Sequence, residues 1–320
     1  MNRCFLSGIR KSLAALLAVG MLLASAGVAE STEEREFRKI PLDIAEKGAD
    51  YTADRNTNPN YYEDPTIRVD IARVEYTENK YGVIYFYAIV KIQDPSQLRT
   101  TAGDEKNFIR GVRQRSEKMA KWKNAVLALN GDFCTPGVRA EGSKYCLRQG
   151  VVYRDTVVEN LDMLLIDEDA DFHIYKAGPE LAELDKTEID GKKIVNAFQF
   201  GPALVIDGEP VDDEYILDAN HSPWSAEPYT HAQRMCFGQI DKLTYLVLCC
   251  WDGLDLVQLR DLVQEIAPCK TLYVLDGGNS AQLVYLKRQF NLKGKHEDAP
   301  NARTIADIIY FASAYFEKGK

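Results

Sequence analysis

Two apolar runs in this 320-residue chain stop abruptly on small polar residues. AVLAL (125–129) runs into Asn130, Gly131, Asp132 and Phe133, and LYVL (272–275) runs into Asp276, Gly277, Gly278, Asn279 and Ser280. A carboxylate at the end of a buried strand can stabilise a cation or activate water, and adjacent glycines let a ligand approach the backbone. Either segment by itself also reads as an ordinary turn. Arg234 in QRMCFG and Arg303 in NARTIADIIYF stand beside apolar strands. Their planar fork suits phosphate, and equally a structural ion pair. GNSAQ around Ser280 lacks the final glycine of a nucleophile elbow, and a strand rather than a helix follows.

The pattern gives little support to a histidine or cysteine metal centre. His173, His221, His231 and His296 are scattered without HxH or HExxH spacing, and no cysteine pair has zinc spacing. Only His231, three residues before Arg234, lies near a candidate residue. The metal question stays open. No cofactor is required by anything in the sequence, yet Asp132, Asp276 and Asn130 could offer oxygen ligands to a hard divalent cation such as Ca²⁺.

The elements that must position these residues are mostly short strands. IRVDIARVEY alternates as a half-buried strand does, and VIYFYAIVKI (83–92) is β-branched and aromatic on both faces. Further strands are expected at GVVY, MLLI, ALVI, LTYLVL, AQLVYL and IIYF. Helical spacing predicts a helix over 108–123, through Phe108, Ile109, Val112, Met119 and Trp122. A second is predicted to start after Asp255, with Gln258 completing a capping box and Pro268 closing it. The acidic stretch 178–193 reads as a loop or short helix. The expected fold is α+β, a mixed β-sheet core with at least these two helices packed on it, in one large domain over 67–315. If the strands ending at 129 and 275 were parallel neighbours, their carboxyl ends would open on one crevice.

Residues 1–29 carry Arg3, Arg10 and Lys11, then an uncharged run from Leu13 to Ala24, then small residues. That is the order of a cleaved signal peptide, and the run is shorter than the roughly 20 residues of a membrane span. Residues 30–66 read as an extended arm. The expected destination is outside the cytoplasm, secreted or in the cell envelope, with no later transmembrane segment. The formal net charge is −9. Losing three cations and no acid with the signal would take it to about −12, which argues against nucleic acid as a partner. Cys134, Cys146, Cys236, Cys249, Cys250 and Cys269 remain after the signal. Cys134 and Cys146 flank a loop containing Pro136 and Gly137 and are expected to form a disulfide, whereas Cys249 and Cys250 suit buried thiols.

Taken in order, AVLALNGDF, LRQGVVYRD, FQFGPALVIDGEPV, QRMCFGQ, GLDLVQLRDLVQEIAPCKTLYVLDGGNS and RTIADIIYF resemble the phosphodiester glycosidase family, the N-acetylglucosamine-1-phosphodiester α-N-acetylglucosaminidase-like domains. The resemblance covers roughly 67–313 and is tightest from 118 onward. The family's NGDF element falls on Asn130 to Phe133, its PRTAIG-like element on Gln233 to Gly238, its LDGGGSS element on Leu275 to Ala281, and its terminal arginine on Arg303. Asn279 stands where the family has a third glycine, Ala281 where it has a second serine, and Gln233 where it has proline. The resemblance implies a hydrolase that cleaves the glycosidic C–O bond of a sugar 1-phosphodiester in an envelope or extracellular glycan. It would release the sugar and leave a phosphomonoester. Asp276 and Asp132 are then the expected catalytic carboxylates. Arg234 and Arg303 would hold phosphate, Gly277 and Gly278 would shape the substrate site, and Asn130 and Ser280 would orient sugar hydroxyls. A glycan-binding protein without catalysis and a serine esterase using Ser280 are the competing classes.

Overall fold

The alternation read in the sequence becomes four antiparallel sheets in the computed structural model. It describes residues 34–51, 58–134, 143–218, 220, 233–251, 254–291 and 303–319. The expected signal peptide and His221, His231 and His296 lie outside the described residues. Arg35–Lys320 form one compact unit.

An eight-stranded sheet runs in the order Glu209–Pro210, Ala203–Ile206, Thr271–Leu275, Arg234–Asp241, Thr244–Cys250, Tyr85–Ile92, Ile67–Val74 and Tyr61–Asp64. A five-stranded sheet runs Arg288–Gln289, Leu283–Tyr285, Ala125–Asn130, Asp307–Ala312 and Leu98–Ala102. A six-stranded sheet is built around Asp162–Asp167, Lys192–Phe200 and Cys146–Arg148, and Arg35–Phe37 pairs with Tyr315–Glu317. Every named strand pairing among the described residues is antiparallel, so the expected mixed sheet is corrected to antiparallel ones. Apolar runs buried on both faces are common in parallel sheets. Here the second face is covered by another sheet or a helix. Ala125–Asn130, buried throughout, puts Leu127 and Leu129 into the main core and Ala128 into a cluster with Met119 and Ala120. Phe311 of the five-stranded sheet meets Phe237 and Tyr245 of the eight-stranded one at centroid distances of 6.0 and 5.4 Å, which locks the two sheets together.

Four helices are present among the described residues, and the protein is mostly β. Leu256–Ile266 is as the sequence predicts: the Asp255 carboxylate accepts from the Gln258 N–H, and the reciprocal capping bond is made. The helix expected over 108–123 is shorter, Ser116–Trp122. Gly111 takes φ +71°, and Gln114 exchanges two backbone hydrogen bonds with Ile305, so the chain before Ser116 is extended. Phe108 and Ile109 still turn inward, against Cys134, Cys146 and Ala306. Within the segment read as an arm, residues 35–51 are held by hydrogen bonds from the domain. Arg99 donates to the carbonyls of Pro41 and Asp43, and Lys123 to that of Ile44. The Tyr51 hydroxyl donates to the carbonyl of Ala125.

Candidate active site

Asn130 ends its strand in the five-stranded sheet, and Asp276 follows Thr271–Leu275 in the eight-stranded sheet. The two strands are not neighbours, so the crevice of parallel strand ends is not how they meet. A side-chain bridge joins them instead. Asn130 Nδ2 donates to the carbonyls of Asp276 (2.7 Å) and Gly131 (3.0 Å), and its Oδ1 accepts from the Gln282 N–H (3.1 Å). Gln282 in turn donates from Nε2 to the Arg303 carbonyl (2.8 Å) and accepts from Ser116 Oγ (2.6 Å). Buried amides with all their bonds made act as rigid spacers. One pocket opens over this bridge, and Asn130, Asp276, Ser280 and Arg303 all line it. Of the eight residues singled out from sequence, these four come together.

The polar wall is built by three of them. Arg303 donates from Nε to Ser280 Oγ at 2.8 Å, and its Nη2 lies 3.6 Å from Asp276 Oδ2. The Ser280 hydroxyl stands close enough to the Asp276 carboxylate to favour its charged form. Burial pushes the Asp276 carboxyl above its usual range, against the opposing pull of Ser280, Arg303 and Lys144. Gly277 and Gly278 do not line the pocket; they seat the turn that carries it. A Cβ on Gly277 would fall 2.6 Å from the Gln233 carbonyl, and the Gly278 N–H donates to that same carbonyl at 2.8 Å. Arg234 starts the strand alongside and is buried, but it is not among the pocket's lining residues. Burial lowers its affinity for the proton, while Cys250 and Asp255 oppose that shift.

Asp132 is wholly buried beneath the pocket rather than in it. Its Oδ1 accepts from Arg148 Nη2 at 2.6 Å, its Oδ2 accepts from the Gln199 N–H at 2.8 Å, and Lys144 Nζ stands 3.8 Å from Oδ2. The carboxylate that does reach the pocket from this side is Asp307, which the sequence reading passed over. Asp307 Oδ2 lies 3.3 Å from Arg148 Nη2, and burial pushes its carboxyl up to about 6, with Asp132 adding to the rise and Arg148 opposing it. Gly131 has to be glycine because a Cβ would come within 2.4 Å of both Asp307 carboxylate oxygens. Arg148 is sandwiched further, its guanidinium carbon 4.1 Å from the Phe198 ring centroid. The available signal was a charge set inside an apolar strand: Asp307 in IADIIYF and Arg148 in CLRQG.

The expected Cys134–Cys146 disulfide is absent: both are free, buried thiols. Their mutual interaction, with burial, pushes the Cys134 thiol well above its usual value, and the same interaction draws Cys146 down. Cys134 with Asp132 and Asp307 forms the one group among the described residues with the proximity of a metal site. Its two carboxylates both ion-pair with Arg148, and Asp132 faces Lys144 as well.

The candidate site is thus a pocket assembled from the ends of two sheets, where the carboxylates of Asp276 and Asp307 stand with Arg303. The sequence profile of the phosphodiester glycosidases matches residues 123–312, more than half of the chain, and the chain belongs to that family. Among solved structures it is similar to the zebrafish N-acetylglucosamine-1-phosphodiester α-N-acetylglucosaminidase catalytic domain, auto-inhibited by its pro-peptide. That match has TM-score 0.61 and 15% identity, over 79% of this chain and 86% of that one. At this identity the likeness shows the fold alone. A hypothetical protein from Synechocystis aligns at TM-score 0.46 and 13% identity, over 77% of this chain and 62% of that one. No curated protein matches. Among the described residues no helix is long and apolar enough to cross a membrane.

Proposed function

We propose that this protein hydrolyses a sugar 1-phosphodiester, breaking the bond between the anomeric carbon and the phosphate oxygen. The observation that carries the reading is the Asp276–Arg303 pair, 3.6 Å apart on the wall of one pocket in a member of this family. As the C–O bond breaks, the anomeric carbon becomes cationic and the phosphate oxygen takes the electron pair. Asp276 stabilises the cation and helps deprotonate the attacking water, and Arg303 neutralises the charge growing on the leaving phosphate. The water contributes hydroxide to the sugar. Its proton leaves through the pocket's carboxylates, for which Asp307, raised to about 6, is suited near neutral pH. Asp132 supports Asp307 through Arg148, and Asn130 holds Asp276 in place. Ser280 Oγ accepts from Arg303 Nε at 2.8 Å, which favours a positioning role for Ser280 over that of a nucleophile.

Residues 1–29 support an exported enzyme acting on an envelope or extracellular glycan. Asp276→Asn should keep the melting temperature within a few degrees and abolish release of N-acetylglucosamine from a UDP-linked phosphodiester. Full activity in that variant would defeat the assignment. Because Arg148 and Lys144 already balance the acids, turnover should survive dialysis against EDTA unchanged. Activity lost to EDTA and restored by Ca²⁺ would show a bound cation instead.

A further inference from the structure

We propose that Arg113 is a phosphate-binding residue of this pocket and, with Arg303, forms its anion clamp. Arg113 lies outside the segment matched by the family profile and stands on the extended chain before Ser116–Trp122. That chain is fixed at the pocket rim: Gln114 and Ile305 exchange backbone hydrogen bonds of 2.9 Å in both directions, and Ile305 lines the pocket beside Arg113.

The charges point to an anionic ligand. Asp307 on the pocket and Asp132 beneath it share Arg148, and Asp132 also faces Lys144. On the wall, Asp276 is met by Arg303. Arg113 is the cation left over. Among the described residues no carboxylate lies within ion-pair distance of it; its guanidinium carbon instead stands 5.8 Å from the Phe133 ring centroid. Phe133 also lines the pocket and holds φ +61°, a left-handed conformation costly for an aromatic residue. That conformation keeps its ring at the pocket wall under the guanidinium. An unbalanced arginine is unexpected in a chain of net charge −9, and its planar fork matches two phosphate oxygens. A phosphate seated between Arg113 and Arg303 would leave the attached sugar over Asp276.

The inference rests on the phosphodiester reading for its natural ligand, but not for its test. Calorimetric titration with inorganic phosphate should show binding by the intact protein, weakened roughly ten- to a hundredfold in Arg113→Ala and less in Arg113→Lys. Circular dichroism melting checks that both variants are folded. In steady-state kinetics the phosphodiester KM should rise more than kcat falls. No phosphate binding by the intact protein, or binding within twofold in Arg113→Ala, overturns the assignment. Phosphate binding that depends on Arg113 without phosphodiester turnover would sink the proposed reaction and leave this site standing. Turnover unaffected by Arg113→Ala would do the reverse.

Discussion

Asp276 and Asp307 are both carboxylates raised by burial on one pocket, yet each faces a different arginine, Arg303 and Arg148, so they should answer differently to substitution. Asp307 is pushed from its usual value to about 6 by burial, so the folded protein holds its proton where the unfolded chain has lost it. The stability this contributes is fully present below about pH 4 and is lost as pH rises through about 6. Melting temperature should therefore fall over that window, and Asp307→Asn should flatten the fall. A variant as pH-dependent as the parent would show that another group titrates. Arg148 gives a sharper test of the buried network. Arg148→Met leaves Asp132 and Asp307 facing each other without their shared cation, which should cost roughly 3–5 kcal/mol in denaturant unfolding. Adding Asp132→Asn to that variant should recover part of the loss. Asn130, Asp276, Ser280 and Arg303 were legible because each sits where an apolar run meets polar residues. Asp307 and Arg148 were not, because a charge inside a strand betrays its purpose only once its partner is known. Those partners, Asp132 and each other, lie 16 to 175 positions away.

At the level of elements, local signals held and pairing did not. Asp255 and Gln258 cap Leu256–Ile266 through contacts three residues apart, which a sequence displays directly. Asp255→Ala should cost about 1 kcal/mol and lower the melting temperature by a few degrees without altering KM. An unchanged melting temperature would mean that burial of Leu259, Leu262 and Val263 alone sets the helix. The 108–123 reading failed for the opposite reason. Its helical spacing was real, but the isolated bridge from Gln114 to Ile305 ties it to a segment almost two hundred residues on, and that tertiary bond overrides the local pattern. The same non-local character hid the antiparallel order. A strand buried on both faces looks alike whichever way its neighbours run.

At the scale of the whole molecule, the family membership and the mostly β architecture agree, and the pocket draws on segments near residues 113, 130, 276 and 303. Leu98–Ala102 pairs with Asp307–Ala312, and Arg35–Phe37 with Tyr315–Glu317, so the sheets cannot close until the last strands are available. Loops of that length raise the entropic barrier to folding, and chains dominated by such pairings refold slowly, on the order of milliseconds to seconds or longer. The Asn130 bridge between the sheets can form only after both have assembled. On dilution from denaturant, far-ultraviolet circular dichroism should thus recover before phosphate binding does. The interval between them would time the docking of one sheet against the other.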